Sequence, residues 1–167
     1  MLEEVDTTYT RRVKRRMFLC KNMLIYLAPN VLFNALIPYL VFKEQGSVQL
    51  LNGEQNLARF LLPMSLLLPF MLTFDILKKT IEAGIKRRFD LVIEESFPKN
   101  KYIFRMAGKH AIATFLIVVA GIAALYFLMP DGHRYNIVFS SVMIGILAGF
   151  YSLFFPIVSV NKLKREI

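Results

Sequence analysis

The chain alternates between long uncharged apolar stretches and shorter stretches rich in lysine and arginine. Residues 22–42, 111–129 and 137–160 contain no Asp, Glu, Lys or Arg. Each approaches or exceeds the roughly 20 residues that a helix needs to cross a hydrocarbon core. A fourth uncharged stretch, 60–74, corresponds to only about 22 Å of helix, and it reaches full length as residues 57–77 if its flanking charges lie at the two interfaces. The pattern predicts an all-α polytopic membrane protein with four transmembrane helices.

Composition supports this class. The 167 residues are 56% hydrophobic, with a mean hydropathy of +0.48 and a net charge of +9. A soluble domain of this size has too little interior to bury so much apolar surface. We therefore expect a single membrane domain spanning the whole chain.

The positions of Lys and Arg predict the orientation. Residues 1–21 contain six, residues 78–110 contain nine and the tail 161–167 contains three, which together make eighteen of the 21. Because cytoplasmic segments carry the excess of Lys and Arg, both termini and the 78–110 connection are predicted to be cytoplasmic. An even number of spans agrees. The expected location is the plasma membrane, the inner membrane of a bacterium.

The second and fourth spans end alike, in SLLLPFMLTFDILKK and SLFFPIVSVNKLKRE. Ser65 and Pro69 recur 87 positions later as Ser152 and Pro156. One interpretation is a parallel repeat of two helical hairpins in the same orientation. The other is chance similarity between segments rich in Leu and Phe.

The connection between spans 2 and 3 predicts a cytoplasmic helical hairpin, with the second helix continuing to about Glu95 and a turn near Pro98. Apolar residues recur there at helical spacing, and basic residues occupy the other faces. The apolar stripe is Ile81, Ile85, Phe89 and Val92, and the basic residues are Lys86, Arg87 and Arg88. The stripe needs a cover, which a packed hairpin, the membrane surface or a soluble partner would provide. The basic residues set the topology, bind anionic lipids or dock a partner.

The first span carries a polar stripe of Tyr26, Asn30 and Asn34 at four-residue spacing. Residues at this spacing share one helix face. Amides in hydrocarbon need hydrogen-bond partners, so this face is predicted to point into the bundle or toward another subunit. It either lines a path for a solute or ion, or joins helices by hydrogen bonds.

Small residues recur at every fourth position of the fourth span, where they allow close helix approach. They are Ser141, Gly145 and Gly149, and the third span offers Ala120 and Ala124. These faces pack within the monomer or form a seam between copies, and we expect a homo-oligomer.

Asp75 is the only acid close to the hydrocarbon, so it is either an intramembrane proton carrier or an interfacial group. The topology favours the interface, with an ion pair to Lys78 or Lys79 on its own helix. Lys162, its counterpart in the repeat, is a further predicted partner if the second and fourth helices are neighbours.

Several function classes find no support in the residues. The chain has no phosphate-binding glycine loop, no HExxH and no Ser/His/Asp set. We therefore expect no catalytic residues, no metal site and no cofactor. The basic run RRVKRR, residues 11–16, directly precedes a span, where such clusters act as lipid anchors rather than as nucleic-acid sites.

The leading hypothesis is a small non-catalytic membrane subunit that self-associates, binds anionic lipids and anchors or signals to a soluble cytoplasmic or membrane protein partner. Anchor, immunity and defence-type proteins all fit this description. The alternative is a small homo-oligomeric ion channel or transporter lined by the Asn30/Asn34 face.

Overall fold

In the part of the chain that the structure describes, there are four long helices and a small two-stranded sheet. A computed structural model describes residues 2–53, 56–130 and 132–167, with side chains described from residue 10 onward over the same ranges. The helices are α1 (Leu2–Phe42), α2 (Ala58–Ile85), α3 (Lys99–Leu128) and α4 (Ile137–Glu166). Each is long and apolar enough to cross a membrane. The predicted all-α class is confirmed, with four helices that are long and apolar enough to span a membrane.

The helices pack in the order α1, α4, α2, α3. Helix α4 lies between α1 and α2, and α3 packs on the far side of α2. The main packing pairs are thus α1 with α4 and α2 with α3. The predicted repeat instead pairs helices that follow each other in sequence, α1 with α2 and α3 with α4. Helices α2 and α4 are nonetheless neighbours, and Ser159 Oγ of α4 lies 3.4 Å from Thr73 Oγ1 of α2.

One hydrophobic core fills the middle of the bundle. It includes Leu72 of α2 and Ile144, Ala148 and Phe155 of α4, all at least nine-tenths buried. Outward-facing residues of all four helices are large and apolar, for example Leu32 on α1 and Ile117 on α3. An apolar exterior around an apolar interior is what a bilayer-embedded bundle requires, because the solvent around it is itself hydrocarbon.

Helix α2 ends at Ile85, ten residues before the predicted end near Glu95. Arg87 adopts a left-handed conformation with φ of 50°. Its N–H donates to Gly84 O, and the N–H of Arg88 donates to Ala83 O. These two bonds form a Schellman motif, which normally places Gly at the left-handed position. Because Arg stands there instead, the helix stop carries no sequence signal, and the prediction of a helix to Glu95 is wrong.

Residues 86–98 then fold back over α2 as an irregular loop, and a second hydrophobic core forms beneath it. A Cβ on Gly84 would lie 2.7 Å from Ile93 Cδ1 and 3.1 Å from Leu91 O. The loop thus crosses α2 where a glycine permits close approach. This loop, residues 10–21 of α1, the end of α2, the start of α3 and the end of α4 form what we call the basic end of the bundle.

The opposite end, called the sheet end, holds β1 (Ser47–Gln49) and β2 (Arg134–Asn136). The strands are antiparallel, with Val48 opposite Tyr135. Arg134 donates from Nε to Ser47 Oγ at 2.8 Å and from a terminal nitrogen to Ser47 O at 2.9 Å. The side chain of Asn136 then caps α4 by accepting from Phe139 N. This pairing ties the α1–α2 and α3–α4 connections together.

Candidate functional site

The polar stripe of α1 faces the bundle. Asn30 Nδ2 donates to Ser152 Oγ of α4 at 2.9 Å, and Ser152 Oγ donates to Ala148 O at 2.9 Å. Asn34 Nδ2 donates to Asn30 O within its own helix at 2.8 Å. Each amide has a protein partner for its N–H group, which favours the packing interpretation of this face over a solute path.

Tyr26 connects α1 to α2. Its hydroxyl donates to Asp75 Oδ2, the oxygen that also accepts from Lys79 Nζ at 2.5 Å. Lys79 Nζ lies 3.4 Å from the Tyr26 hydroxyl and 5.2 Å from the centre of its ring. One carboxylate oxygen therefore holds a lysine of its own helix and a tyrosine of the neighbouring helix.

The ion pair of Asp75 differs from part of what the sequence predicts. Among the described residues its ionic partner is Lys79, four positions along α2, while Lys78 and Lys162 are exposed. The Asp75 and Lys79 side chains are 39% and 40% exposed. This accessibility suits a group at an interface.

A second polar cluster joins three helices on the other side of α2. His110 Nδ1 of α3 lies 2.9 Å from Thr73 Oγ1 of α2, and Ser159 of α4 shares the same hydroxyl. The sequence does not predict this cluster, since the three residues stand in separate helices and follow no shared motif. The geometry indicates interhelical hydrogen bonding. No group of three His, Cys, Asp or Glu residues close enough to bind a metal occurs among the described residues.

The predicted small-residue faces separate into two environments. Gly145 and Gly149 face α1, where a Cβ would lie 2.8 Å from Ala35 Cβ and 2.8 Å from Val31 Cγ2, respectively. Ser141, one turn earlier, is also buried. Ala120 and Ala124 of α3 are exposed. The α4 set therefore packs within the chain, and the α3 pair lies on an outer surface.

The apolar stripe at the basic end is mostly covered by the chain itself. Ile81 and Phe89 are at least 97% buried, and Ile85 is partly buried. Val92 is half exposed, because the loop is not helical and the stripe does not continue through it. The sequence allows three covers for this stripe: the chain itself, the membrane surface or a soluble partner. In the structure, the chain itself covers most of it.

Helix α1 also holds the loop in place. Arg15 forms an ion pair with Asp90 Oδ2 at 2.7 Å, and the two side chains are only 16% and 11% exposed. One turn on, the ring of Phe18 packs against Phe89 with centroids 5.4 Å apart. Lys86, Arg87 and Arg88, by contrast, are exposed. The loop is therefore anchored by its buried residues and presents its basic residues outward.

No known protein family, curated protein or solved structure matches this chain at a significant level.

Proposed function

We propose that the chain is a non-catalytic subunit of a plasma membrane, the inner membrane of a bacterium, that anchors or signals to a soluble cytoplasmic partner. Both termini and the loop 86–98 would be cytoplasmic, in keeping with the eighteen of 21 Lys and Arg residues carried by those segments. Anchoring, immunity and defence-type roles are all consistent with this arrangement.

The observation that carries the proposal is the exposed basic triplet Lys86, Arg87 and Arg88 on a fixed loop. A positive charge that only sets topology needs no defined geometry. Here the helix stop at Arg87, the contact of Ile93 with Gly84 and the Arg15–Asp90 ion pair all fix the loop. A loop that is already held in place loses little backbone entropy on binding, which favours recognition.

The chemistry of recognition is predominantly electrostatic. Because Ile81 and Phe89 are buried within the core of the basic end, they are not available as apolar anchors for a partner. Complementary charge steers association and selects partners, and it is strongly weakened by salt when the charges are exposed.

A pull-down with the intact detergent-solubilised protein tests the proposal. The double variant Arg87→Glu and Arg88→Glu should lose a partner that the parent retains, and high salt should release the same partner. The matched control is Lys43→Glu and Arg59→Glu, which makes the same charge change at exposed positions near the sheet end. Identical sets of retained proteins for parent and double variant would contradict the proposal.

Self-association through α3 is part of the proposal, because Ala120 and Ala124 are exposed small residues in the middle of a span. Small residues allow the close backbone approach on which helix association in membranes depends. Ala120→Leu with Ala124→Leu should reduce the mass of the solubilised particle, whereas Ala28→Leu on the exposed face of α1 should not. A monomeric parent would contradict this part.

The channel or transporter hypothesis receives less support from the packing. The Asn30 and Asn34 amide nitrogens both donate within the bundle. Ion or solute flux in liposomes that changes with Asn34→Leu would favour the channel over the docking subunit.

A further inference from the structure

We propose that α1 and the loop 86–98 together form one composite arginine surface, which binds an acidic segment of a soluble protein. The four outer arginines are Arg11, Arg12, Arg87 and Arg88. This inference rests on the proposed function, because it specifies the partner chemistry of the same basic end.

The Arg15–Asp90 ion pair brings the two halves of the surface together. Arg11 and Arg12 lie one turn before Arg15 on α1 and so share its side of the helix. Arg87 and Arg88 lie three and two residues before Asp90 on the loop. All four outer arginines are exposed. The pair on α1 and the pair on the loop are separated by more than 70 positions in the sequence.

The depth of the outer arginines favours a protein partner over the lipid headgroups. The first basic residues outside the predicted spans are Lys21 on α1 and Lys78 on α2. Lys86 follows Lys78 by eight residues, about 12 Å along the helix axis, and Arg12 precedes Lys21 by nine, about 13 Å. The headgroup layer is only about 5–8 Å thick on each side of the hydrocarbon. Arg12, and the end of α2 from which Arg87 and Arg88 follow, are therefore farther from the span ends than the headgroup layer is thick, which favours a partner beyond the membrane surface.

The residue types also fit carboxylates. The first basic residue beyond each predicted span at this end is a lysine, namely Lys21, Lys78, Lys109 and Lys162. Farther out on α1 and the loop, arginines outnumber lysines, and the four outer arginines stand beside Lys14 and Lys86. A planar guanidinium binds a carboxylate through two parallel hydrogen bonds, which an ammonium group cannot do. An extended segment with several Asp or Glu residues would reach both halves of the surface.

Asp90 acts here as a positioning residue, since it holds Arg15 and is itself only 11% exposed. This role makes an unusual prediction for Asp90→Asn. If net charge alone governed binding, removal of an acid would strengthen the affinity for an acidic peptide. If the two halves must be held together, the same variant weakens it.

The experiment measures binding of a fluorescent oligoglutamate peptide to the full chain in phosphatidylcholine nanodiscs. Arg11→Gln with Arg12→Gln, and separately Arg87→Gln with Arg88→Gln, should each weaken binding roughly tenfold, as expected for the loss of two exposed ion pairs. Asp90→Asn should weaken binding several-fold. Glu94→Gln, the matched control, makes the same charge change at an exposed loop position whose side chain contacts Ser96, and it should bind at least as tightly as the parent.

The exchange Arg15→Asp with Asp90→Arg keeps the net charge and the opposite-charge pair, so it should restore binding and thereby separate a lost ion pair from an unfolded loop. Tighter binding by Asp90→Asn would overturn the composite surface, as would full insensitivity to either arginine pair. Peptide binding in phosphatidylglycerol nanodiscs that no longer depends on either arginine pair would also overturn it, because the anionic headgroups would then occupy the arginines.

The two proposals fail in different ways. A partner in the pull-down that Asp90→Asn retains in full contradicts the composite surface and supports the proposed function. Peptide binding with the expected variant pattern, but with no partner retained in the pull-down, contradicts the proposed function and supports the surface.

Discussion

Helices α1 and α4 look alike in sequence but occupy different positions in the bundle. Both contain a long uncharged apolar stretch and a proline. In the most apolar 18-residue segment of α4, half of the residues are buried, whereas 6% are buried in the corresponding segment of α1. Helix α4 lies between two neighbours, while α1 lies at the edge and packs mainly on α4. Apolarity is therefore sufficient for a helix to cross the membrane, but it does not determine the position of that helix within the bundle.

The contacts that hold α1 explain how an edge helix stays attached. Lipid tails are as apolar as leucine, so helices in a bilayer gain little from burying leucine against each other. Helix α1 is held in the bundle instead by close packing against Gly145 and Gly149 and by hydrogen bonds from Asn30 and Tyr26. The attachment of α1 to α4 and α2 depends on a few small and polar residues, and three sets of substitutions test this dependence.

The largest effect is expected for Gly145→Leu. A Cβ at this position would already lie 2.8 Å from Ala35 Cβ and 3.1 Å from Val31 O, so a leucine forces α1 away from α4. We expect a loss of about 3 kcal/mol in the free energy of unfolding, measured by titration with a denaturing detergent. Gly121→Leu on α3 is the control, since its Cβ would meet nothing within 4 Å. Equal losses for the two variants would show that close packing does not hold α1.

A smaller effect is expected for Asp75→Leu, which leaves Lys79 and the Tyr26 hydroxyl without their shared acceptor. The loss should be about 1–2 kcal/mol, because both charged side chains are partly exposed. Asp75→Asn keeps an acceptor for Tyr26 and should lose less than about 1 kcal/mol with unchanged topology. The same unfolding titration measures both. If Asp75→Asn abolished function while assembly stayed intact, the proton-carrier interpretation would be correct and the interfacial one wrong.

The smallest difference is expected between two amides on one face of α1. Asn30→Leu removes a hydrogen bond to α4, an interaction that averages about 0.6 kcal/mol in membrane proteins. Asn34→Leu removes only a bond within α1 and should change the unfolding free energy less. A larger loss for Asn34→Leu would indicate a partner for that face outside this chain.

The sequence predicts the four helices because long uncharged stretches are rare outside membranes, and the helices extend over all four. It does not predict the end of α2, because the left-handed cap residue is Arg87 and not a glycine. It also does not predict the sheet, because three-residue strands such as Arg134–Asn136 carry too few positions for a recognisable pattern.

The candidate site likewise has features that the sequence predicts and features that only the folded structure shows. The sequence identifies Lys86, Arg87 and Arg88 as a basic group and Ile81 and Phe89 as apolar residues in need of a cover. The cover itself, Leu91 and Ile93 with Phe18 of α1, comes from segments whose contacts no local pattern specifies. The ion pair of Arg15 with Asp90 joins residues 75 positions apart. The predicted partner of Asp75 on α4 was plausible from the repeat, but Lys79 on the same helix is closer.

Local properties of the residues, namely charge, apolarity and helical spacing, are sufficient to specify the class of protein, the number of helices and the concentration of positive charge in the terminal and central segments. Long-range contacts decided which helices are neighbours, which small-residue face is buried and which hydrophobic stripe is covered. The physical reason is that every helix here is apolar on most of its surface, so apolarity cannot distinguish one partner from another. That distinction comes from shape and hydrogen bonding at a few positions, such as Gly145 against Ala35 and Asn30 with Ser152, and these pairs exist only once the chain has folded.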